Sequence, residues 1–133
     1  MAADRITLCV PAKGEYAKTV RMTAAALVSR MGMTYDEVDD VRMAAEEAFV
    51  YATETLPEDA DVSFEFCVDD DQVTIDVPLG DGDRDADEEG ERRAAYATFI
   101  LESVCDSYEF TSDDRGARLR LVKRVGACDA DSE

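Results

Sequence analysis

The amino-acid sequence predicts an α+β fold: a two-layer α/β sandwich in which one layer of about three helices lies on a mixed, mostly antiparallel five-stranded sheet. Two observations carry this. Hydrophobic periodicity switches between about two and about 3.6 residues in the order β, α, α, β, β, loop, α, β, β. Three helices cannot bury both faces of a sheet this small, so a single helical layer is the economical arrangement. A length of 133 residues, 46% of them hydrophobic, suits one core. The domain is expected to span residues 1–125, and the acidic end "GACDADSE", 126–133, to be a disordered tail.

The run "RITLCV" places Ile6, Leu8 and Val10 on one face, the period of a half-buried strand. After Pro11, apolar residues recur at helical spacing through Tyr16, Val20, Thr23, Leu27 and Met31, and Arg30 with Gly32 gives a stop signal. Thr34 and Glu37 have capping-box spacing, and Met33 and Val38 sit where a hydrophobic staple would close over that cap. The second helix therefore begins here. Its core face runs through Val38, Val41, Ala45, Ala48, Phe49 and Ala52, which leaves Met43, Glu47 and Tyr51 together on a flank.

After the breaker "LPEDAD", Val62, Phe64, Phe66 and Val68 alternate, then Val73, Ile75 and Val77, about an acidic turn at Asp69 to Asp71. This is a hairpin. Residues 78–91, "PLGDGDRDADEEGE", read as a long polar loop, a type that often serves function. "ERRAAYATFILESVCDS" returns to helical spacing with Tyr96, Phe99, Ile100, Ser103 and Val104 as inward positions. Tyr108 and Phe110, a turn through "DDRG" closed by Gly116, and then Ala117, Leu119 and Leu121 form a last hairpin.

Composition removes whole classes of function. With 14 basic against 32 acidic residues the formal charge is -18, a field that repels phosphate backbones, so nucleic acid is not an expected partner. No apolar run approaches the ~18 residues of a membrane span, and "MAADRITLCV" lacks the features of a secretion signal, so a cytoplasmic protein without membrane contact is expected. Cys9, Cys67, Cys105 and Cys128 have no CxxC spacing and there is no histidine to complete a common zinc site. They read as reduced thiols, three of them in the core. Lack of histidine also removes His-based general base catalysis. The loop "DGDRDADEE" fails as a calcium loop, because Ala86 stands where glycine is needed and Arg92 where the bidentate Glu belongs; no metal site is expected.

The stretch "AAEEAFVYATE", 44–54, holds the candidate chemistry. Glu46 and Glu47 are adjacent carboxylates, and Tyr51 follows the second by one helical turn. From the residues alone, these carboxylates are solvated helix charges in the first instance, with partner contact or a catalytic role as the alternatives. Arg21 lies off the core stripe of the first helix, as an ordinary surface arginine would.

"VPAKGEYAKTVRMTAAALVSRMGMTYDEVDDVRMAAEEAFVYA", with "DVSFEFCVDDDQVTIDV" and "FILESVCDSYEF" downstream, resembles the anti-sigma-factor serine kinases of the RsbW type, within the gyrase and histidine-kinase-like ATPase superfamily. The resemblance covers roughly residues 6–125. It implies a two-layer sandwich with ATP under a glycine-rich lid, phosphorylation of an antagonist protein, capture of a sigma factor, and a homodimer. It also aligns Arg21 with an arginine of the partner-facing surface.

Three departures fall on the ATP site. The family pairs a Glu, which orients or deprotonates the nucleophile, with an Asn four residues later that binds magnesium; here Glu47 fits the first role and Tyr51 occupies the second. Magnesium takes few protein ligands, so losing one removes much of the site. An Asp-x-Gly that reads adenine should follow the third strand. In its place stand Pro78, Leu79, Gly80 and Asp81, with Asp81 or Asp83 available only after a two-residue slip. The lid glycines are replaced in "RRAAYATF" by Ala94, Ala95 and Ala97, which favour continuous helix. Glu47, Tyr51, Asp81 and Ala95 thus mark a degenerate ATP site in which Tyr51 reads as a plug. The expected function is anti-sigma-factor-like regulation by binding a sigma factor and/or an anti-sigma antagonist, with ATP and Mg2+ used only if the family site is retained. The alternative is an active serine protein kinase with a shifted motif.

Overall fold

The computed structural model describes residues 3–80 and 88–126. In chain order the elements are β1 Asp4–Pro11, a short 3-10 turn Gly14–Tyr16, α1 Ala17–Val28, α2 Tyr35–Thr55, β2 Asp61–Val68, β3 Gln72–Pro78, α3 Glu88–Val104, β4 Ser107–Asp113 and β5 Gly116–Arg124. The sheet order is β1-β2-β3-β5-β4. Each of the four pairings is antiparallel, so the expected antiparallel character extends to the whole sheet. The reason is topological: α3 carries the chain from β3 into β4 with the same direction, and β5 returns between them. Apart from Gly126, the expected tail lies outside the described residues.

Register aligns one apolar row across all five strands, Ile6, Phe66, Ile75, Leu121 and Tyr108. Over it lies α2, flanked by α1 and α3. Phe49 is 0% exposed and its ring lies 6.4 Å from that of Phe64, which stacks on Phe66 at 5.8 Å. Thr34 accepts the Glu37 amide at 3.1 Å while Glu37 accepts the Thr34 amide at 2.8 Å, the capping box that the spacing predicts. The other Glu37 oxygen accepts the Gly126 amide at 3.1 Å, so the same carboxylate ties the end of β5 to the start of α2.

Four expectations need correction. The third helix begins at Glu88, three residues before the expected start, and buries Gly90, Ala97, Leu101 and Val104. Tyr96 and Phe99, expected inside, are 63% and 68% exposed. The whole helix is turned by about 100° from the face that its large aromatics suggested. Small residues at 90 and 97 let it pack closely, and Leu101 and Val104 fill the remaining space. In α1 the fully buried positions are Val20, Ala24 and Val28, with Leu27 at the margin. Among the described residues no cysteine is fully buried in the core: Cys9 is exposed, Cys67 is half-buried, and Cys105 is half-buried against the core, while Cys128 lies outside the described residues. Cys9 and Cys67 alternate with inward residues and so face the open side of the sheet. Burial pushes the Cys105 thiol up to about 12.

Candidate functional site

The flank of α2 reads from exposed to buried along its length. Met43 is 43% exposed, Glu47 is half-buried, and Tyr51 is 5% exposed. Sequence spacing placed these three together; it did not show that β4 covers the last of them. The Tyr51 ring meets Phe110 edge-on with centroids 5.5 Å apart, and Phe110 meets Tyr108 at 6.4 Å. A line of three rings therefore joins α2 to the edge strand. The alternation of Tyr108 and Phe110 was the signal that could have found this cover.

Glu47 sits among like charges. Burial holds its carboxyl above the ordinary carboxylate range, and the charges of Glu54 and Glu46 add to that. Those neighbours have cations: Arg21 Nη1 lies 3.3 Å from Glu46 Oε1, and Arg93 Nε lies 3.9 Å from Glu54 Oε1. The first pair joins α1 to α2 and the second joins α3 to α2. Arg21 is thus held against the helical layer, with its side chain 31% exposed, and sequence spacing gave no sign of its partner.

At the end of β3, Leu79 turns inward and is 3% exposed. Its amide donates to the Ala117 carbonyl at 2.8 Å, and the Ala117 amide donates to the Gly80 carbonyl at 2.7 Å. Gly80 has φ +74, and a Cβ there would lie 3.1 Å from Leu56 Cδ2. The backbone after β3 is therefore clamped to β5 with an apolar side chain pointing into the core. Asp81 and Asp83, and Ala86 of the rejected calcium loop, lie outside the described residues.

The alanines run inside α3. Ala94 is half-buried, Ala95 exposed and Ala97 buried, all within one uninterrupted helix. Of the expected site residues, the structure brings Glu47 and Tyr51 onto one flank, sets Arg21 one ion pair away on the α1 side, and leaves Ala95 on the outer surface of α3. Among the described residues no group of three or more Asp, Glu and Cys side chains is placed to hold a metal ion. Nor is any helix there long and apolar enough to cross a membrane. Chemically the flank offers a carboxylate that resists ionisation beside an apolar, aromatic wall.

Comparison with known proteins bears on the whole arrangement. Residues 10–123 match the histidine kinase-like ATPase domain family. The chain is 38% identical over 84 residues to the serine-protein kinase RsbW of Bacillus subtilis, a match covering 61% of this chain and 52% of that protein. It is 33% identical over 100 residues to the serine-protein kinase RsbW of Bacillus pumilus, covering 71% of this chain and 62% of the relative. The chain thus spans about half to three fifths of the length of these relatives. In three dimensions it is similar to the crystal structure of the RsbU and RsbW domains of a Mycobacterium tuberculosis protein, with TM-score 0.70, 15% identity, and coverage of 92% of this chain and 32% of that one. That likeness concerns the fold.

Proposed function

The chain belongs to the histidine kinase-like ATPase domain family, and from that membership we propose that it is an RsbW-type, anti-sigma-factor-like regulator that acts by holding a protein partner and has lost nucleotide chemistry. The partner class is a sigma factor and/or an anti-sigma antagonist, met in the cytoplasm by a chain that pairs with its own copy. The observation that carries this reading is the buried Tyr51. Where the family presents an amide oxygen to magnesium, this chain has a phenol ring packed on Phe110.

Two further features agree with it. After β3, where the resemblance calls for an adenine-reading carboxylate, Pro78, Leu79 and Gly80 offer none, and Leu79 turns an apolar side chain into the core. The lid positions, Ala95 among them, lie in a continuous helix, which holds the backbone amides in the helical ladder and away from phosphate. ATP and Mg2+ do not fit the residues present. Arg21, held by Glu46 at the α1 edge, is the partner-facing residue.

A second reading, the active serine kinase, is favoured by one observation: Glu47 is retained, with the raised carboxyl that a general base needs. Thermal unfolding in millimolar Mg-ATP separates the two. A competent site at about 100 times its dissociation constant would add roughly 2.7 kcal/mol, and each kcal/mol moves the midpoint by about 2 to 8 °C. No shift is expected, and Tyr51→Asn alone should not create one. A saturable rise of several degrees in the unmutated protein would overturn the degenerate reading in favour of the kinase.

A further inference from the structure

The geometry points to a docking groove on the outer surface between α2 and α3 for a basic, amphipathic segment of a protein partner, which lays apolar side chains on Met43, Tyr96 and Phe99 and a Lys or Arg on Glu47. This rests on the partner-binding reading above and gives that partner a second contact surface and a chemistry, on the α3 side of α2 and apart from Arg21 at the α1 edge.

Apolar exposure is the first support. Tyr96 and Phe99 are 63% and 68% exposed and Met43 is 43% exposed. The three residues follow one strip along the pair of helices. Arg93 reaches Glu54 at 3.9 Å near one end of α3, and Val104 lines a small cavity with Val41 and Ala44 near the other, so α3 runs back along α2. Tyr96 and Phe99, between those points, lie alongside the part of α2 that runs from Glu47 to Tyr51, and Met43 follows at the Val104 end of the same strip. Rigid aromatic side chains and methionine are the types that anchor protein partners.

Charge is the second support, and it selects the occupant. Along α2, Asp39 meets Arg42, Asp40 meets Lys123 at 3.0 Å, Glu46 meets Arg21 and Glu54 meets Arg93. Glu47 alone in that stretch has no cation among the described residues, although it is half-buried and lies next to two of those carboxylates. A partner cation would relieve that repulsion in a site partly shielded from water, where the attraction is least screened. The net charge of -18 steers a basic segment toward the surface and an acidic one away.

The test uses two labelled synthetic helical peptides of about 18 residues, long enough to follow α3, one patterned with Leu and Lys and its counterpart with Leu and Glu. Fluorescence anisotropy is read against the full chain, the double variant Tyr96→Ser with Phe99→Ser, the variant Glu47→Gln, and Met22→Ser on α1 as a control for binding to acidic surface at large. The Leu/Lys peptide should bind the unmutated chain and the control equally, lose about tenfold or more in affinity to the double variant, and lose several-fold to Glu47→Gln. The Leu/Glu peptide should not bind. Equal binding of the Leu/Lys peptide by all four proteins, or binding of the Leu/Glu peptide, would overturn the proposal. So would a dimer that becomes monomeric in the double variant while peptide affinity stays unchanged, since the groove would then be a contact between copies. Each of these outcomes leaves the Mg-ATP result untouched, so the groove and the degenerate site fail separately.

Discussion

Glu47 has a folded-state pKa raised above its ordinary value of 4.5, first by burial and then by Glu54 and Glu46. The folded chain therefore binds this proton more tightly than the unfolded chain. Stability from this group is complete below the unfolded pKa and falls as pH rises through the folded one, leaving ionised Glu47 as a standing cost at neutral pH. Arg21 and Arg93 pair with the neighbouring Glu46 and Glu54 rather than with Glu47. Glu47→Gln is accordingly expected to raise the urea midpoint at about pH 7 and to leave it unchanged near pH 4, where both side chains are neutral. A lower midpoint at pH 7 would show that the ionised carboxylate makes a favourable contact instead. Sequence spacing located Glu47 and Tyr51 on the same flank because an i, i+4 relation is local. It could not give their environments, which depend on Phe110 some sixty residues away and on ion pairs from two other helices.

The start and most of the core face of α2 were legible, whereas α3 was legible as a helix but not in its first turn or its rotation. The cap of α2 is written in adjacent residues, Thr34 and Glu37, and its core face in a dense repeat of Ala, Val and Phe. In α3 the buried set is Gly90, Ala97, Leu101 and Val104, small residues and one Leu, while the aromatics face water. Periodicity weighted by side-chain size follows the aromatics and so selects the wrong face. The two helices make a paired prediction. Phe49→Ala empties a site that is 0% exposed against Phe64 and should cost about 3 to 5 kcal/mol. Phe99→Ala removes a ring that is 68% exposed and should stay within about 0.5 kcal/mol. Denaturant unfolding of both variants checks this, and comparable costs would return Phe99 to the interior and remove it from the proposed groove.

Net charge is legible from composition, but its distribution is a product of topology. The open face of the sheet interleaves Arg5, Arg118, Arg120 and Arg124 with Glu65, Asp76 and Glu109, and Arg120 reaches Asp76 at 3.1 Å. The helical layer instead carries the acidic length of α2. Self-repulsion at a formal charge of -18 opposes the compact state, whereas exposed ion pairs each contribute little. Raising salt from about 0.01 to 0.15 M shortens the screening length from about 30 to about 8 Å. Repulsion summed over the whole molecule should weaken more than the short-range pairs do. The thermal midpoint of the free domain is therefore expected to rise over that range, and a fall would mean that the ion pairs between helices outweigh the net charge. Capture of a basic segment should respond with the opposite sign, because the same screening removes the field that draws the segment in. Salt that stabilises the domain and loosens its complex would be the signature of one acidic surface acting in both.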